Sequence, residues 1–207
     1  MTSRVIPGVL AMAAIVVASN ILVQFLCGQW LTWGAFTYPF AFLVTDVMNR
    51  VYGAPAARKV VLSGFVVGLA CSLVGTQISG EFGPLVTWRI AIGSGIAFLC
   101  AQLMDVAIFD RLRFGRWWRA PLASSLVGSS LDTALFFTIA FSASLSGLEP
   151  GNDVSWANEA LPLLGLGPVV PLWVSLATAD WLVKLSLALV ALIPFRALVA
   201  RLTPRMA

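Results

Sequence analysis

Apolar residues occur along this chain in runs long enough to cross a lipid bilayer, and shorter polar or basic stretches separate the runs. A membrane-spanning helix needs about 20 mostly apolar residues, so a chain of this length has room for roughly six or seven. The pattern predicts one all-α transmembrane domain over residues 1–207. Its six spans are expected at about residues 6–26, 35–51, 57–78, 84–108, 121–142 and 169–195.

The second predicted span differs from the others because a proline and charged residues interrupt it. Pro39 lies in its first third, and Asp46 and Arg50 follow within the apolar run. Proline is tolerated in the first turn of a helix, so the helix proper is expected to begin near residues 38–40. The segment before it is either a loop or a short re-entrant helix, and a short surface helix is expected in the last loop, over residues 156–164.

Basic and acidic residues alternate between successive span boundaries, and this alternation predicts the topology. Short loops rich in lysine and arginine stay in the cytoplasm. Six spans with both termini in the cytoplasm satisfy every boundary, whereas five or seven would expose a basic cluster outside. The basic boundaries carry Arg4, Arg58, Lys59, Arg111, Arg113, Arg116, Arg119, Arg201 and Arg205, and the opposite boundaries carry Glu81, Glu149, Asp153 and Glu159.

Composition supports an integral membrane protein and argues against catalysis. Hydrophobic residues make up 59% of the chain and charged residues 11%, whereas soluble domains carry about a quarter charged residues. The chain has no histidine and no H-E-x-x-H, G-x-S-x-G or phosphate-binding loop motif. We therefore predict that the protein is not an enzyme and uses no metal and no cofactor. Its basic residues lie at membrane boundaries, so no nucleic-acid partner is expected.

Three carboxylates fall at the same depth in different spans. Asp46, Asp132 and Asp180 each lie about eleven residues into a span, or about 16 Å deep at 1.5 Å per residue, near the middle of a ~30 Å core. An ionisable group inside a bilayer is costly unless it is paired or faces a cavity. The three residues are therefore expected to share one polar cavity.

Local spacing suggests partners for two of these carboxylates. Lys184 lies one turn from Asp180, and a purely internal salt bridge and a direct role in binding are equally well supported. Arg50 lies one turn from Asp46. Asp132 has no cation nearby on its own helix, and small polar residues beside it leave room, so it has the strongest claim to a cavity.

Other polar residues in the spans have simpler interpretations. Asp105 and Asp110 are expected to cap their helix or to pair with the arginines that follow, in preference to contacting a substrate. Asn20 and Gln24, four residues apart, are expected to form hydrogen bonds between helices. Arg89 is a further candidate partner for the carboxylates.

Four segments of the chain resemble the bacterial queuosine-precursor transporter family. They are residues 19–24, residues 32–60, residues 101–137 without the two at 114–115, and residues 179–195. The resemblance covers most of the chain apart from the last loop and much of the third span. It implies uptake of 7-cyano-7-deazaguanine, and of 7-aminomethyl-7-deazaguanine as a second substrate, across the bacterial inner membrane.

The implied substrate suggests roles for the polar residues. A 7-deazaguanine presents N1–H and a 2-amino group as adjacent donors, and one carboxylate, Asp132 or Asp46, can accept both. Its O6 needs a donor, and its flat ring needs aromatic walls. The remaining expected binding residues are Asn20, Arg89 and Lys184 as O6 donors, Asp180, Gln102 and Asp105 as further polar groups, and Tyr38, Phe42, Phe98, Phe136 and Trp173 as aromatic walls.

Two other function classes remain open from the sequence: uptake of another small heterocycle or vitamin, and a structural subunit of a membrane complex. The expected partners are the small-molecule substrate, the lipid bilayer and a second copy of the chain, with a dimer favoured. The Gly64-x-x-x-Gly68 pattern is nevertheless interpreted as packing within one chain.

Overall fold

The computed structural model describes residues 4–80 and 83–203. Glu81 and Arg205, used above for the topology, lie outside the described residues. The described chain is mostly helical, and four of its helices are long and apolar enough to cross a membrane. These are α4 (Ala54–Gln77), α5 (Trp88–Leu112), α6 (Arg119–Phe141) and α7 (Leu172–Leu202), and α1 (Ile6–Leu22) is a shorter apolar helix.

The second predicted span is divided into two helices, α2 (Gly34–Thr37) and α3 (Phe40–Tyr52). The break follows from Pro39, which has no N–H to donate to the preceding turn. Here the Ala41 N–H donates to the Tyr38 carbonyl at 2.9 Å. This bond joins residues three apart, so it closes a tighter turn than the α-helical bond between residues four apart. The division places the Tyr38 side chain at the junction of two helices.

Antiparallel two-stranded hairpins join α1 to α2, α4 to α5 and α6 to α7. The last connection also contains three 3-10 turns. The hairpins are β1 (Leu26–Cys27) with β2 (Leu31–Thr32), β3 (Ser79–Gly80) with β4 (Gly83–Pro84), and β5 (Ala160–Pro162) with β6 (Val169–Pro171); the 3-10 turns are Ala143–Leu148, Ser155–Asn158 and Leu163–Gly165.

These connections meet at one end of the helical bundle, which we call the hairpin end. The Glu149 carboxylate accepts hydrogen bonds from the first backbone N–H groups of α5, including that of Arg89 at 3.0 Å. Asp153 accepts from the Ser155 backbone N–H and hydroxyl at 2.8 and 3.0 Å. These bonds lower the pKa of the exposed Asp153 carboxyl group, because they stabilise its charged form.

The hairpins also explain where predicted boundaries were wrong. The first span was expected to reach residue 26, but α1 ends at Leu22 because the chain turns into β1. Gln24 therefore does not extend the helical face of Asn20. The helices of the fourth and sixth predicted spans, α5 and α7, likewise begin only after the strands β4 and β6, at Trp88 and Leu172.

The surface helix expected over residues 156–164 is not formed. Strand β5 occupies the middle of that segment because its backbone pairs with β6, with Leu161 opposite Val170. The short helical turns on either side of β5 are of the 3-10 type.

Helix α3 lies at the centre of the bundle and contacts α1, α4, α5, α6 and α7. A single residue, Gly53, connects it to α4. The φ angle of Gly53 is +85°, in the region that favours glycine, and this allows the chain to reverse within one residue. The buried residues of α3 are Ala41, Phe42, Thr45, Asp46, Val47, Met48 and Asn49.

The glycine pair in α4 packs against α1 of the same chain. A Cβ atom added to Gly64 would lie 2.5 Å from Met12 Cγ and 3.0 Å from Phe98 Cζ, whereas one added to Gly68 would lie 3.4 Å from Val16 Cγ1. Gly64 therefore sets the distance between α1 and α4, and Gly68 leaves room for a methyl group.

Gly64→Ala is expected to lower the stability of the protein. Overpacking a tight core contact costs about 1–3 kcal/mol, so the melting temperature in detergent should fall. Gly68→Ala, one turn away, is the matched control and should leave the melting temperature unchanged or raise it. Equal melting temperatures for the two variants would contradict this account of the α1–α4 contact.

Candidate functional site

A buried ion network centred on Lys184 joins α6 to α7. The Lys184 Nζ lies 2.6 Å from Asp132 Oδ2 and 2.5 Å from Asp180 Oδ2. It also donates to the Thr133 hydroxyl at 3.1 Å, and that hydroxyl donates to Asp180 at 2.9 Å. The pairing of Asp180 with Lys184 expected from their spacing is present. Asp132, which has no cation nearby on its own helix, shares the same lysine because α7 brings it across from another span.

Tyr38 connects the break in the second span to this network. Its hydroxyl donates to Asp132 Oδ1 at 3.0 Å, and the Lys184 Nζ lies 5.4 Å from the centre of its ring. Phe42 and Phe98 pack edge-on against the same ring, with centroid distances of 6.3 and 6.1 Å. Both oxygens of Asp132 are thus engaged by residues of other helices.

A cavity of about 310 Å³ lies between α3, α6 and α7, and we call it the charged cavity. Asp46 and Lys184 both line it, with Phe42 as an aromatic wall. Part of this volume is open space at the surface of the protein, and the enclosed part accommodates about one water molecule. The other lining residues are Pro39, Leu43, Ser125, Ser129, Ala188, Ala191 and Phe195.

Asp46 is the carboxylate that lines the charged cavity. It is 2% exposed, and its oxygens accept hydrogen bonds from the hydroxyls of Ser124 and Ser125 at 3.2 and 3.4 Å. The expected pairing with Arg50 is wrong. The Arg50 guanidinium instead donates to the Arg113 carbonyl at the end of α5.

Asp105 faces the same part of α6 as Asp46: a Cβ atom added to Gly128 would lie 3.4 Å from Asp105 Cβ, one turn from Ser124, which donates to Asp46. It is fully buried, and no described residue donates a hydrogen bond to either of its oxygens. The expected pairing of Asp105 with the following arginines is therefore wrong. Asp110, five residues on and near the surface, is the partner of Arg113 at 3.1 Å.

Two further polar contacts fix α3 against α5. The Thr45 hydroxyl donates to the Gln102 side-chain carbonyl at 2.7 Å. The Asn49 side-chain amide donates to the Val106 carbonyl at 3.0 Å. All three polar side chains are fully buried, so these contacts hold together the segments of α3 and α5 that carry Asp46 and Asp105.

A second cavity, of about 410 Å³, lies between α1, α4 and α5 and has Tyr38 on its wall. Asn20 and Phe98 also line it, and Asn20 donates to the Val16 carbonyl of its own helix at 2.9 Å. Tyr38 therefore faces this second cavity while its hydroxyl bonds to Asp132. Ser72 and Ser94 are the other polar residues of its lining.

Arg89 is fully buried but lies away from the expected carboxylates. Its guanidinium donates to the carbonyls of Ile139 and Ser142 at 3.0 and 2.7 Å. These carbonyls belong to the last turn of α6 and to its C-cap, where a helix leaves its carbonyl groups unsatisfied. In the described part of the chain, Arg89 thus ties the end of α6 to the start of α5.

Phe136 and Trp173 lie outside the lining of both cavities. Phe136 packs edge-on against Phe137 and Phe141, with centroid distances of 5.1 and 5.9 Å. The aromatic side chain of the charged cavity that sequence reasoning missed is Phe195. It follows a proline near the predicted end of the sixth span, where nothing in the local pattern indicates a binding role.

Ser124 and Thr133 were also missed as site residues. Thr133 directly follows Asp132, and Ser124 precedes Ser125, one of the small polar residues on the helix of Asp132. The polar residues of α6 therefore cover more than one face of the helix, because both α3 and α7 pack against it.

These features define the class of the protein: a multi-pass helical membrane protein that buries a charged site between its spans. A family model described as "Putative vitamin uptake transporter" matches residues 32–199. The chain belongs to the queuosine-precursor transporter family, and it is a multi-pass protein of the bacterial inner membrane.

Three relatives carry names that specify a substrate. The "Queuosine precursor transporter" of Escherichia coli is 41% identical over 141 residues, covering 61% of this chain and 64% of the relative. The "Probable queuosine precursor transporter" of Haemophilus influenzae is 35% identical over 177 residues, covering 79% and 66%. That of Bacillus subtilis is 27% identical over 187 residues, covering 81% and 71%.

The aligned part of this chain spans just under two thirds of the length of the first two relatives. No solved structure matches the chain.

Lys184→Met is expected to destabilise the protein strongly. It would leave Asp132 and Asp180 buried without their cation, and breaking a buried pair in this way costs about 3–5 kcal/mol. The melting temperature in detergent measures the loss. The double variant Lys184→Met, Asp132→Asn removes one of the two charges and should recover part of the stability. A double variant less stable than the single one would contradict the shared ion pair.

Proposed function

We propose that this protein imports queuosine precursors, 7-cyano-7-deazaguanine and 7-aminomethyl-7-deazaguanine, through the charged cavity. One observation carries the proposal: a carboxylate, an ammonium group and aromatic rings line one cavity between the helices, in a chain that is 41% identical over 141 residues to a protein named for that substrate class. A guanine-like ring needs an acceptor for N1–H and the 2-amino group, a donor for O6 and an apolar surface for its faces.

Asp46 is the better candidate for the residue that reads the guanine-like edge. Both Asp132 oxygens are bound to Tyr38 and Lys184 at 3.0 and 2.6 Å. The Asp46 oxygens accept only longer bonds from Ser124 and Ser125, and two substrate donors can replace these. A carboxylate that accepts two N–H groups side by side makes a strong, directional contact.

Lys184 supplies the donor for O6 in this arrangement. Its ammonium group lines the same cavity as Asp46, and of its three contacts the bond to the Thr133 hydroxyl is the longest, at 3.1 Å. Exchanging that bond for one to O6 keeps both carboxylate contacts of the lysine. Phe42 and Phe195 provide apolar surface for the ring.

The charged cavity must widen for such a ligand to bind. Its enclosed part holds about one water molecule, far less than a bicyclic base requires. The walls come from α3, α6 and α7, so transport requires at least one of these helices to move. This behaviour is that of a secondary transporter, in which access to the site alternates between the two sides.

We further propose six membrane crossings, with α2 and α3 together forming the second. At 1.5 Å per residue, residues 34–52 span about 28 Å, close to the thickness of the hydrocarbon core. The hairpin end carries Glu149, Asp153 and Glu159. The opposite end carries arginines and Lys59, so the hairpin end faces outward and both termini face the cytoplasm. We also propose that the protein forms a homodimer.

Asp46→Asn is expected to lower uptake of 7-cyano-7-deazaguanine by roughly 10- to 100-fold, because hydrogen bonds to a charged group contribute about 1.5–3 kcal/mol. Uptake is measured in cells that cannot make the precursor, at matched levels of protein in the membrane. Asp132→Asn should reduce protein stability, but it should lower uptake per folded molecule less than Asp46→Asn does.

Asp110→Asn is the control for this experiment, because Asp110 pairs with Arg113 near the surface. It should transport like the wild type. Wild-type uptake by the Asp46→Asn variant would exclude Asp46 as the carboxylate that reads the substrate. Wild-type uptake by both the Asp46→Asn and the Asp132→Asn variants would exclude the proposed recognition altogether.

A queuosine precursor is expected to raise the melting temperature of the purified protein. A ligand at a hundred times its dissociation constant contributes about 2.7 kcal/mol to stability. Guanine and vitamins serve as comparison ligands. Stabilisation by a vitamin and not by either 7-deazaguanine would instead favour the vitamin uptake that the family description names, and no stabilisation by any of them would favour a structural subunit.

A further inference from the structure

The second cavity, between α1, α4 and α5, takes no part in the proposed substrate contacts. It holds more empty space than the charged cavity, about 410 Å³ against about 310 Å³, and its enclosed part is several times larger. No charged residue of the described chain lines it, whereas Asp46 and Lys184 line the charged cavity. The two cavities therefore differ in both room and chemistry.

The two cavities lie towards opposite ends of the bundle. Asn20, Ser72 and Ser94 of the second cavity lie near those ends of α1, α4 and α5 that adjoin hairpins. At 1.5 Å per residue, each is within about 9 Å of the hairpin end. The charged cavity instead includes Ser125, in the first two turns of α6, and Phe195, about two turns from the basic end of α7. A solute that comes from the hairpin end thus meets the second cavity first.

The Tyr38 side chain lies between the two cavities. It lines the second cavity, whereas the next residue, Pro39, lines the charged one. The Nζ of Lys184, a residue of the charged cavity, lies 5.4 Å from the centre of the Tyr38 ring. Of the two rings packed edge-on against it, Phe98 lines the second cavity and Phe42 the charged one. Displacement of the Tyr38 side chain would therefore join the two cavities.

The lining of the second cavity suits a flat, uncharged ring that carries N–H donors. Tyr38, Phe65 and Phe98 offer aromatic surface. The Asn20 amide and the Ser94 hydroxyl donate to carbonyls of their own helices at 2.9 and 3.1 Å, so the oxygens of these side chains are left to accept. The N1–H and 2-amino groups of a 7-deazaguanine are matching donors. Neutral acceptors bind such donors more weakly than a carboxylate does.

We propose that the second cavity is an entry site, at which the substrate binds before the Tyr38 side chain moves and admits it to the charged cavity. This inference rests on the proposed function and on the outward position proposed for the hairpin end. The charged cavity encloses too little space to receive the ring directly, and it lies nearer the basic end. The substrate therefore occupies two sites in sequence, first a neutral site of weak affinity and then a charged site of higher affinity.

A first test asks whether the second cavity binds a 7-deazaguanine by itself. Ser72→Cys introduces a thiol into its lining, in a variant whose native Cys27, Cys71 and Cys100 are replaced by alanine. A membrane-impermeant thiol reagent, added outside spheroplasts, is expected to label this thiol. 7-Cyano-7-deazaguanine at about ten times its dissociation constant should slow the labelling about tenfold, because only unoccupied sites react.

The same labelling in an Asp46→Asn background separates the two cavities, because it weakens recognition in the charged cavity alone. Protection of Ser72→Cys should persist there. Gln77→Cys, at the exposed end of α4, is the control and should be labelled equally with and without the ligand. Protection that disappears with Asp46→Asn, or its absence in both backgrounds, overturns the proposal. Labelling that occurs in detergent but not in the membrane would mean that lipid fills the cavity, and it overturns the proposal as well.

A second test needs no introduced cysteine. Ser94→Leu fills part of the second cavity, and overpacking of this kind should lower uptake at low substrate concentration by roughly tenfold or more. The rise in melting temperature at saturating 7-cyano-7-deazaguanine should be retained, because the charged cavity is unchanged. Ser186→Leu is the matched control: Ser186 also donates to a carbonyl of its own helix, is exposed and lines neither cavity. It should transport like the wild type.

Wild-type uptake by Ser94→Leu, or loss of both its uptake and its melting-temperature rise, overturns the entry site. Wild-type uptake together with an unprotected Ser72→Cys contradicts the entry site and leaves the proposed substrate intact. Absence of uptake by the wild type contradicts the proposed function itself, so the two failures are distinguishable.

Discussion

Lys184 is the charge on which the arrangement of the spans depends. A single buried ammonium group satisfies carboxylates of α6 and α7 at 2.6 and 2.5 Å. Through Asp132 it also fixes Tyr38, and so the break in the second span. Because each of these groups would be very costly alone in a bilayer, the position of α7 against α6 and the start of α3 are determined together.

The same constraint explains why the shortest main helix lies at the centre. Thr45, Asp46 and Asn49 cannot face lipid, so α3 must be surrounded by helices that offer polar partners. Gln102 on α5 and Ser124 on α6 are such partners. The result is a polar core inside an apolar bundle, whose long outer helices present leucine and valine to the lipid.

The sequence predicted the helices well and their contacts less well. Apolar runs located α4 to α7, because a helix needs that length to cross a bilayer. Helix ends were predicted wrongly where residues as apolar as those of the spans belong to the short hairpins instead. The pairing of Asp180 with Lys184 follows from spacing along one helix. The pairing of Lys184 with Asp132, and the hydrogen bonds from Ser124 and Ser125 to Asp46, depend on which helices become neighbours, and local spacing carries no such information.

Gly53 limits how the bundle can change shape. One residue between α3 and α4 provides only two backbone angles, and the φ of +85° is already one that other residues rarely adopt. The ends of α3 and α4 that meet at Gly53 therefore stay adjacent whenever either helix moves. At the other end of α3, Tyr38 and Pro39 interrupt the series of backbone hydrogen bonds between α2 and α3. Helix α3 is thus tied to α4 at the basic end of the bundle, whereas its other end adjoins the break at which Tyr38 bonds to the ion network.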